Sequence, residues 1–84
     1  MFYVYFLKNK HGRIYIGFTS DLKNRLKMHN AGYCAFTKQY RPWKIVYYEA
    51  FTSEKDARKR EITLKNYGST LGQLKKRIEI SLRI

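Results

Sequence analysis

Between Arg13 and His29 a strand-like run passes into a helix-like one with only a capping signal between them. Arg13 to Phe18 is rich in aromatic and β-branched residues, as is Phe2 to Lys8 before it, and Asn9-Lys10-His11-Gly12 separates the two. Two such runs around a short turn-forming segment predict a β-hairpin. Ser20 or Asp21 then offers a side-chain oxygen to cap a helix. Its apolar positions Leu22 and Leu26 are four apart, and Asn30-Ala31-Gly32 supplies a glycine stop. A hairpin arm feeding directly into a short amphipathic helix leaves few folds open, and the rest of the chain must pack against it.

Tyr33 to Trp43 has no period and mixes aromatic with basic residues around a proline, which predicts a surface loop. Lys44 to Phe51 reads as a buried strand, although Ile45-Val46-Tyr47-Tyr48 does not alternate cleanly. Ser53 with Asp56 is a capping signal for a second helix running to about Asn66, closed by Tyr67-Gly68. Thr70 with Gln73 repeats that signal for a third helix, where Leu71, Leu74, Ile78 and Leu82 form a stripe. Ile78, Ile80, Leu82 and Ile84 also alternate as a strand would; length and cap favour the helix. The order is β-β-α-β-α-α. The second strand returns through a helix to the third, so those two should be parallel, with a right-handed crossover and the first strand between them. All helices can then cover one face of a three-stranded sheet, giving a two-layer α/β (α+β) fold. The 84 residues make one domain, 1–84, able to bury roughly 60–65% of its unfolded surface.

Charge narrows the partner. Lys and Arg number 18 against 6 Asp and Glu, a formal +12, so a polyanion is the expected ligand, and 17% aromatic content favours nucleic acid over an anionic membrane. Cys34 is the single cysteine, which excludes an intramolecular disulfide and, with two histidines, a four-ligand Cys/His zinc site. The apolar start, seven residues long, is a strand and not a signal peptide or membrane span. The cytoplasm is the expected compartment and a monomer the expected state.

Several polar residues stand where apolar ones belong. Leu22, Arg25, Leu26 and His29 share one helix face by their spacing, as do Ala57, Glu61 and Leu64. Asp21, Glu54 and Asp56 sit at helix N-termini, where the macrodipole accounts for them. For Arg25 and Glu61 a half-buried ion pair between helices is the structural alternative to a chemical role. For His29 the alternative is a satisfied helix-end histidine, and for Tyr5 and Tyr15 it is ordinary sheet packing.

Taken together the residues carry more. Tyr3-Val4-Tyr5, then Tyr15-Ile16-Gly17 ten residues on, then Asp21-Leu22-x-x-Arg25-Leu26-x-x-His29-Asn30-x-Gly32, and Glu61 within Arg58-Lys59-Arg60-Glu61 resemble the GIY-YIG nuclease domain. The likeness is to its small single-domain bacterial branch and covers nearly the whole chain. One position departs: Tyr3 stands where the first motif has glycine, a replacement that looks usual in that branch.

The resemblance implies a β-β-α-β-α core and phosphodiester hydrolysis with a single Mg²⁺ or Mn²⁺. Carried over by position, Tyr5 and Tyr15 match the motif tyrosines, Arg25 the helix arginine and Glu61 the metal carboxylate, with Lys8 where one branch has a supporting lysine. On this reading Tyr5 is the base, directly or relayed through His29, its pKa lowered from about 10 by Lys8, Arg25 and the metal. Tyr15 orients water or phosphate, and Arg25 pairs with phosphoryl oxygens. Gly17 permits close backbone approach and Gly32 ends the helix. Lys38, Tyr40, Arg41, Trp43 and Lys44 in or beside the loop, and Lys55, Arg58, Lys59 and Lys65 on the second helix, suit nucleic-acid binding. For the Trp43 ring, packing under the loop is the alternative. No base-reading motif is present, so weakly sequence-specific or structure-selective cutting is expected, of DNA before RNA. The competing readings are a non-catalytic DNA/RNA-binding module of the same fold and a ribosome-associated structural protein.

Overall fold

A computed structural model describes residues 1–83. Strands β1 (Phe2–Lys8) and β2 (Ile14–Thr19) form the expected hairpin, pairing antiparallel from Tyr3 opposite Thr19 to Lys8 opposite Ile14. The turn is built by Asn9, whose Oδ1 accepts from the backbone N–H of His11 at 3.1 Å and of Arg13 at 2.9 Å. Strand β3 (Lys44–Phe51) pairs antiparallel with the other side of β1, so the sheet order is β2-β1-β3 and the two outer strands run in the same direction. This is the predicted arrangement.

The missing alternation in β3 has a structural cause. Phe6 lies opposite Tyr47 but Leu7 opposite Ile45, so Val46 is an extra residue at a bulge. Ile45 therefore packs with Tyr5 and Leu7, while Val46 and Tyr47 pack with Val4 and Phe6 on the other face.

The helices divide between the two faces, a correction to the expectation that all share one. Helix α1 (Leu22–Ala31) and the 33–43 segment cover Tyr5 and Leu7, with Leu22, Leu26, Tyr40 and Trp43 in that cluster. Helices α2 (Glu54–Asn66) and α3 (Gly68–Arg77) cover Val4 and Phe6 through Ala57, Leu64 and Leu74. The reason lies in β1: Val4, Tyr5, Phe6 and Leu7 are all buried, and a central strand apolar on both sides needs cover on both.

Caps follow the sequence at α1 and α2. Asp21 accepts from the N–H of Asn24 at 3.1 Å, Gly32 takes the left-handed conformation at φ 86°, and Ser53 accepts from Asp56 at 3.4 Å. They fail at α3. No glycine stop and no Thr70 cap form there; Tyr67, extended, is the single joint between α2 and α3, and Gly68 is already helical. A second break at Ile78 starts α4 (Glu79–Arg83), so the strand alternative for 78–84 is overturned as far as Arg83, and Ile84 lies outside the described residues. The stripe is kept, since Leu71, Leu74, Ile78 and Leu82 all join the α2-side core.

The expected surface loop is partly interior. It holds a 3-10 turn at Lys38–Tyr40 and the buried Thr37 and Trp43. Asn30 ties it to α1, donating to the Trp43 carbonyl at 2.9 Å and accepting from its N–H at 2.7 Å. Among the described residues no helix is long and apolar enough to cross a membrane.

Candidate active site

Because Tyr15 pairs with Leu7 and Gly17 with Tyr5, both tyrosines project from the α1 side of the sheet, ring centroids 6.3 Å apart. Gly17 makes this possible: a Cβ there would stand 2.4 Å from the Tyr5 hydroxyl and 2.5 Å from its ring. What approaches the Gly17 backbone closely is the Tyr5 side chain.

Helical spacing on α1 then brings Arg25 and His29 onto Tyr5. Arg25 Nε donates to the Tyr5 oxygen at 3.4 Å, and that oxygen lies 2.8 Å from His29 Nε2. His29 Nδ1 lies 2.7 Å from Thr37 Oγ1, which donates to the Cys34 carbonyl at 3.4 Å. With its proton on that carbonyl, Thr37 accepts from Nδ1–H, so Nε2 carries the lone pair and Tyr5 donates to it; the tautomer is assigned from this network. The result is a directed chain from Arg25 through Tyr5 and His29 to Thr37.

Burial sets the titration of its members. It pushes the Tyr5 phenol up to about 12, the Arg25 hydrogen bond pulling back only part of the way. It also holds His29 below its ordinary value, with the Arg25 charge adding to the effect. Among the chain's own groups desolvation outweighs Arg25, so the protein's cations by themselves do not lower the phenol. Lys8 offers no help: it projects from the opposite face, where its ammonium donates to the Leu82 carbonyl.

Glu61 does not pair with Arg25. Its Oε2 is 2.9 Å from Lys65 Nζ, and its side chain is 17% exposed. Lys65 Nζ lies 6.0 Å from the centre of the Tyr15 ring and the Arg58 guanidinium 4.2 Å over Phe18. Glu61, about one turn from each on α2, therefore faces the β2 side of the sheet near Tyr15. Glu49 is equally enclosed, at 18%, but is committed to Arg60 through contacts of 2.8 and 3.0 Å and to the Tyr47 hydroxyl. Burial opposes its ionisation, yet the Arg60 and Tyr47 hydrogen bonds outweigh that and hold the carboxyl below its usual range. Among the described residues no three His, Cys, Asp or Glu side chains group as a metal cage. A lone, half-enclosed carboxylate suits Mg²⁺ of the kind that keeps waters and takes substrate phosphates as ligands.

The expected binding residues separate. Trp43 is core: it is 4% exposed and its indole N–H donates to the Thr37 carbonyl at 2.9 Å, so it offers no ring for stacking. Tyr40 carries the Arg13 guanidinium at 3.9 Å over its ring. Arg41 donates to the Lys38 carbonyl at 2.8 Å, holding both basic residues on the 3-10 turn. Lys44 sits at the far end of β1, lining a cavity of about 390 Å³ with Lys8, Lys10 and Arg83. Lys55 and Lys59 are exposed on α2, and Arg58 pairs with Glu54 at 3.1 Å. Two site residues had no recognised role in the sequence. Thr37 orients His29 only because the loop closes over α1, which no spacing foretells; Asn30, inside the helix motif, holds that closure.

Residues 1–79 match the family model for the GIY-YIG catalytic domain. A UPF0213 protein of Staphylococcus haemolyticus is 41% identical over 66 residues, covering 77% of this chain and 80% of that protein. One of Clostridium perfringens is 42% identical over 66 residues, 77% and 71% of the two chains. The solution NMR structure of a UPF0213 protein from Bacillus halodurans superposes with a TM-score of 0.53 at 33% identity, covering 89% of this chain and 86% of that one.

Proposed function

Because this chain belongs to the GIY-YIG catalytic-domain family, we propose that it is a divalent-metal-dependent endonuclease, acting as one domain over residues 1–84. The observation that carries the reading is the chain Arg25–Tyr5–His29–Thr37, directed toward a neutral imidazole and set beside Tyr15. A phenol with a pKa near 12 is no base by itself. Joined to Nε2 of His29 it becomes a relay: Tyr5 takes a proton from the attacking water as its own passes to His29. Thr37 keeps the imidazole in the accepting tautomer. Arg25 uses Nε on Tyr5 and presents its terminal amino groups to non-bridging phosphoryl oxygens. The half-buried Tyr15 orients water or phosphate through its hydroxyl.

Glu61 would hold a single Mg²⁺ or Mn²⁺, which would supply charge stabilisation to the phosphoryl oxygens and the leaving alkoxide. Nucleic acid enters on the basic surface of α2 and the 3-10 turn, DNA before RNA, with low sequence specificity. The burial of Tyr5, 1% exposed, and the Lys65 contact on Glu61 favour the second reading, a binding module without catalysis.

Glu61→Gln separates the two. If the carboxylate holds the metal, Mn²⁺-dependent cleavage falls by at least about a hundredfold, while metal-free binding to nucleic acid stays equal or tightens because a negative charge is gone. Unchanged cleavage by a well-folded variant removes Glu61 from the metal role.

A further inference from the structure

Next to this site lies an apolar groove that hydrolysis alone does not call for. Ile14 and Tyr15 of β2, Leu64 and Lys65 of α2, Leu71 of α3 and Phe36 of the loop line a volume of about 480 Å³, within the roughly 300–1,000 Å³ that enclose small ligands. Phe36 is 68% exposed, and its ring stands 5.9 Å from that of Tyr15, tilted by 38°. The groove is continuous with the reacting cluster. Tyr15 also contacts His29 at 5.0 Å between centroids, and Lys65 is the partner of Glu61. Its floor is β2, an edge strand paired, among the described residues, only with β1, so alternate N–H and C=O groups point outward and can meet a polar ring edge.

We propose that this groove receives one unpaired nucleobase next to the scissile phosphate, stacked on Phe36. The substrate class is then nucleic acid with a bulged, flapped or frayed nucleotide. The proposal rests on the hydrolytic reading above for the position of the phosphate. An aromatic face offers stacking to any base, Lys65 at the rim meets the phosphate of the same nucleotide, and a +12 chain draws the polyanion in. A base held in a duplex would first have to leave its stack and its partner, which an unpaired one need not do. That difference converts a groove beside the reacting atoms into selection for structure without reading sequence.

The test uses the intact protein without metal, so that nothing is cut, and two DNA probes carrying 2-aminopurine at one position, in a single-nucleotide bulge or in the matching full duplex. The bulged probe should be quenched on binding and the duplex probe should not. Phe36→Ala should abolish the quenching and weaken bulge binding about tenfold, the scale of one lost stacking contact, with duplex affinity unchanged; Phe36→Trp should retain both. Equal binding of the two probes, or a Phe36→Ala loss shared by both, overturns the proposal. So does a concentration-dependent dimer that Phe36→Ala abolishes, which would assign the ring to a second copy of the chain. Adding Mn²⁺ to the same probes tests hydrolysis separately: bulge-selective quenching without cleavage keeps the groove and removes the nuclease reading, and cleavage without selective quenching does the reverse.

Discussion

Tyr5 and His29 hold one proton between an oxygen and a nitrogen 2.8 Å apart, and what each can do follows from its burial. His29 is fully enclosed and its folded pKa lies below the ordinary 6.5, first through desolvation and then through the Arg25 charge. The linkage sign follows: between the folded value and 6.5 the unfolded chain binds a proton that the native protein does not. Stability therefore rises with pH across that window and is lost as pH falls below about 6.5 toward the folded value. The urea midpoint should drop on acidification through this range, and the drop should be smaller in His29→Gln. NMR titration of the imidazole should place its midpoint under 6.5; a midpoint at or above it would remove the neutral acceptor from the relay.

At the level of elements, the hairpin and α1 carry the site, and their junctions are where a change of one atom matters most. Gly17 faces Tyr5 across the hairpin with no room for a Cβ. Gly17→Ala should force the Tyr5 ring off His29 and destabilise the fold by roughly 1–3 kcal/mol, read as a lower melting temperature together with lost cleavage. Full activity in Gly17→Ala would mean that the Tyr5 position is not required. Much of this arrangement was legible beforehand: the hairpin, the Asp21 cap and the inward Arg25 and His29 follow from spacing. The two-sided cover did not emerge, although Val4-Tyr5-Phe6-Leu7 lacks the alternation a one-sided strand would show. Other features had no local signature. Thr37 meets His29 through the path of a loop, the Val46 bulge moves Ile45 to the opposite face, and Tyr67 acts as a joint where Gly68 looked like the stop.

For the whole molecule, a formal charge of +12 on 84 residues makes association with nucleic acid a matter of counterion release. The logarithm of the binding constant should fall linearly with the logarithm of salt, and Lys59→Ala, removing an exposed cation on α2, should flatten the slope by about one unit. Fluorescence anisotropy across a salt series reads this directly, and salt-independent binding would point to an apolar partner instead. The central strand adds a constraint of another kind. Hydrogen-bonded on both sides and buried on both faces, β1 cannot let go of a single amide without parting two cores. The amides of Val4 to Leu7 should therefore be the slowest in the protein to take up deuterium, exchanging only through global opening. Tyr5 is one of them, so its geometry has no partial failure available: on heating, the curve of lost activity should overlay the curve of lost structure.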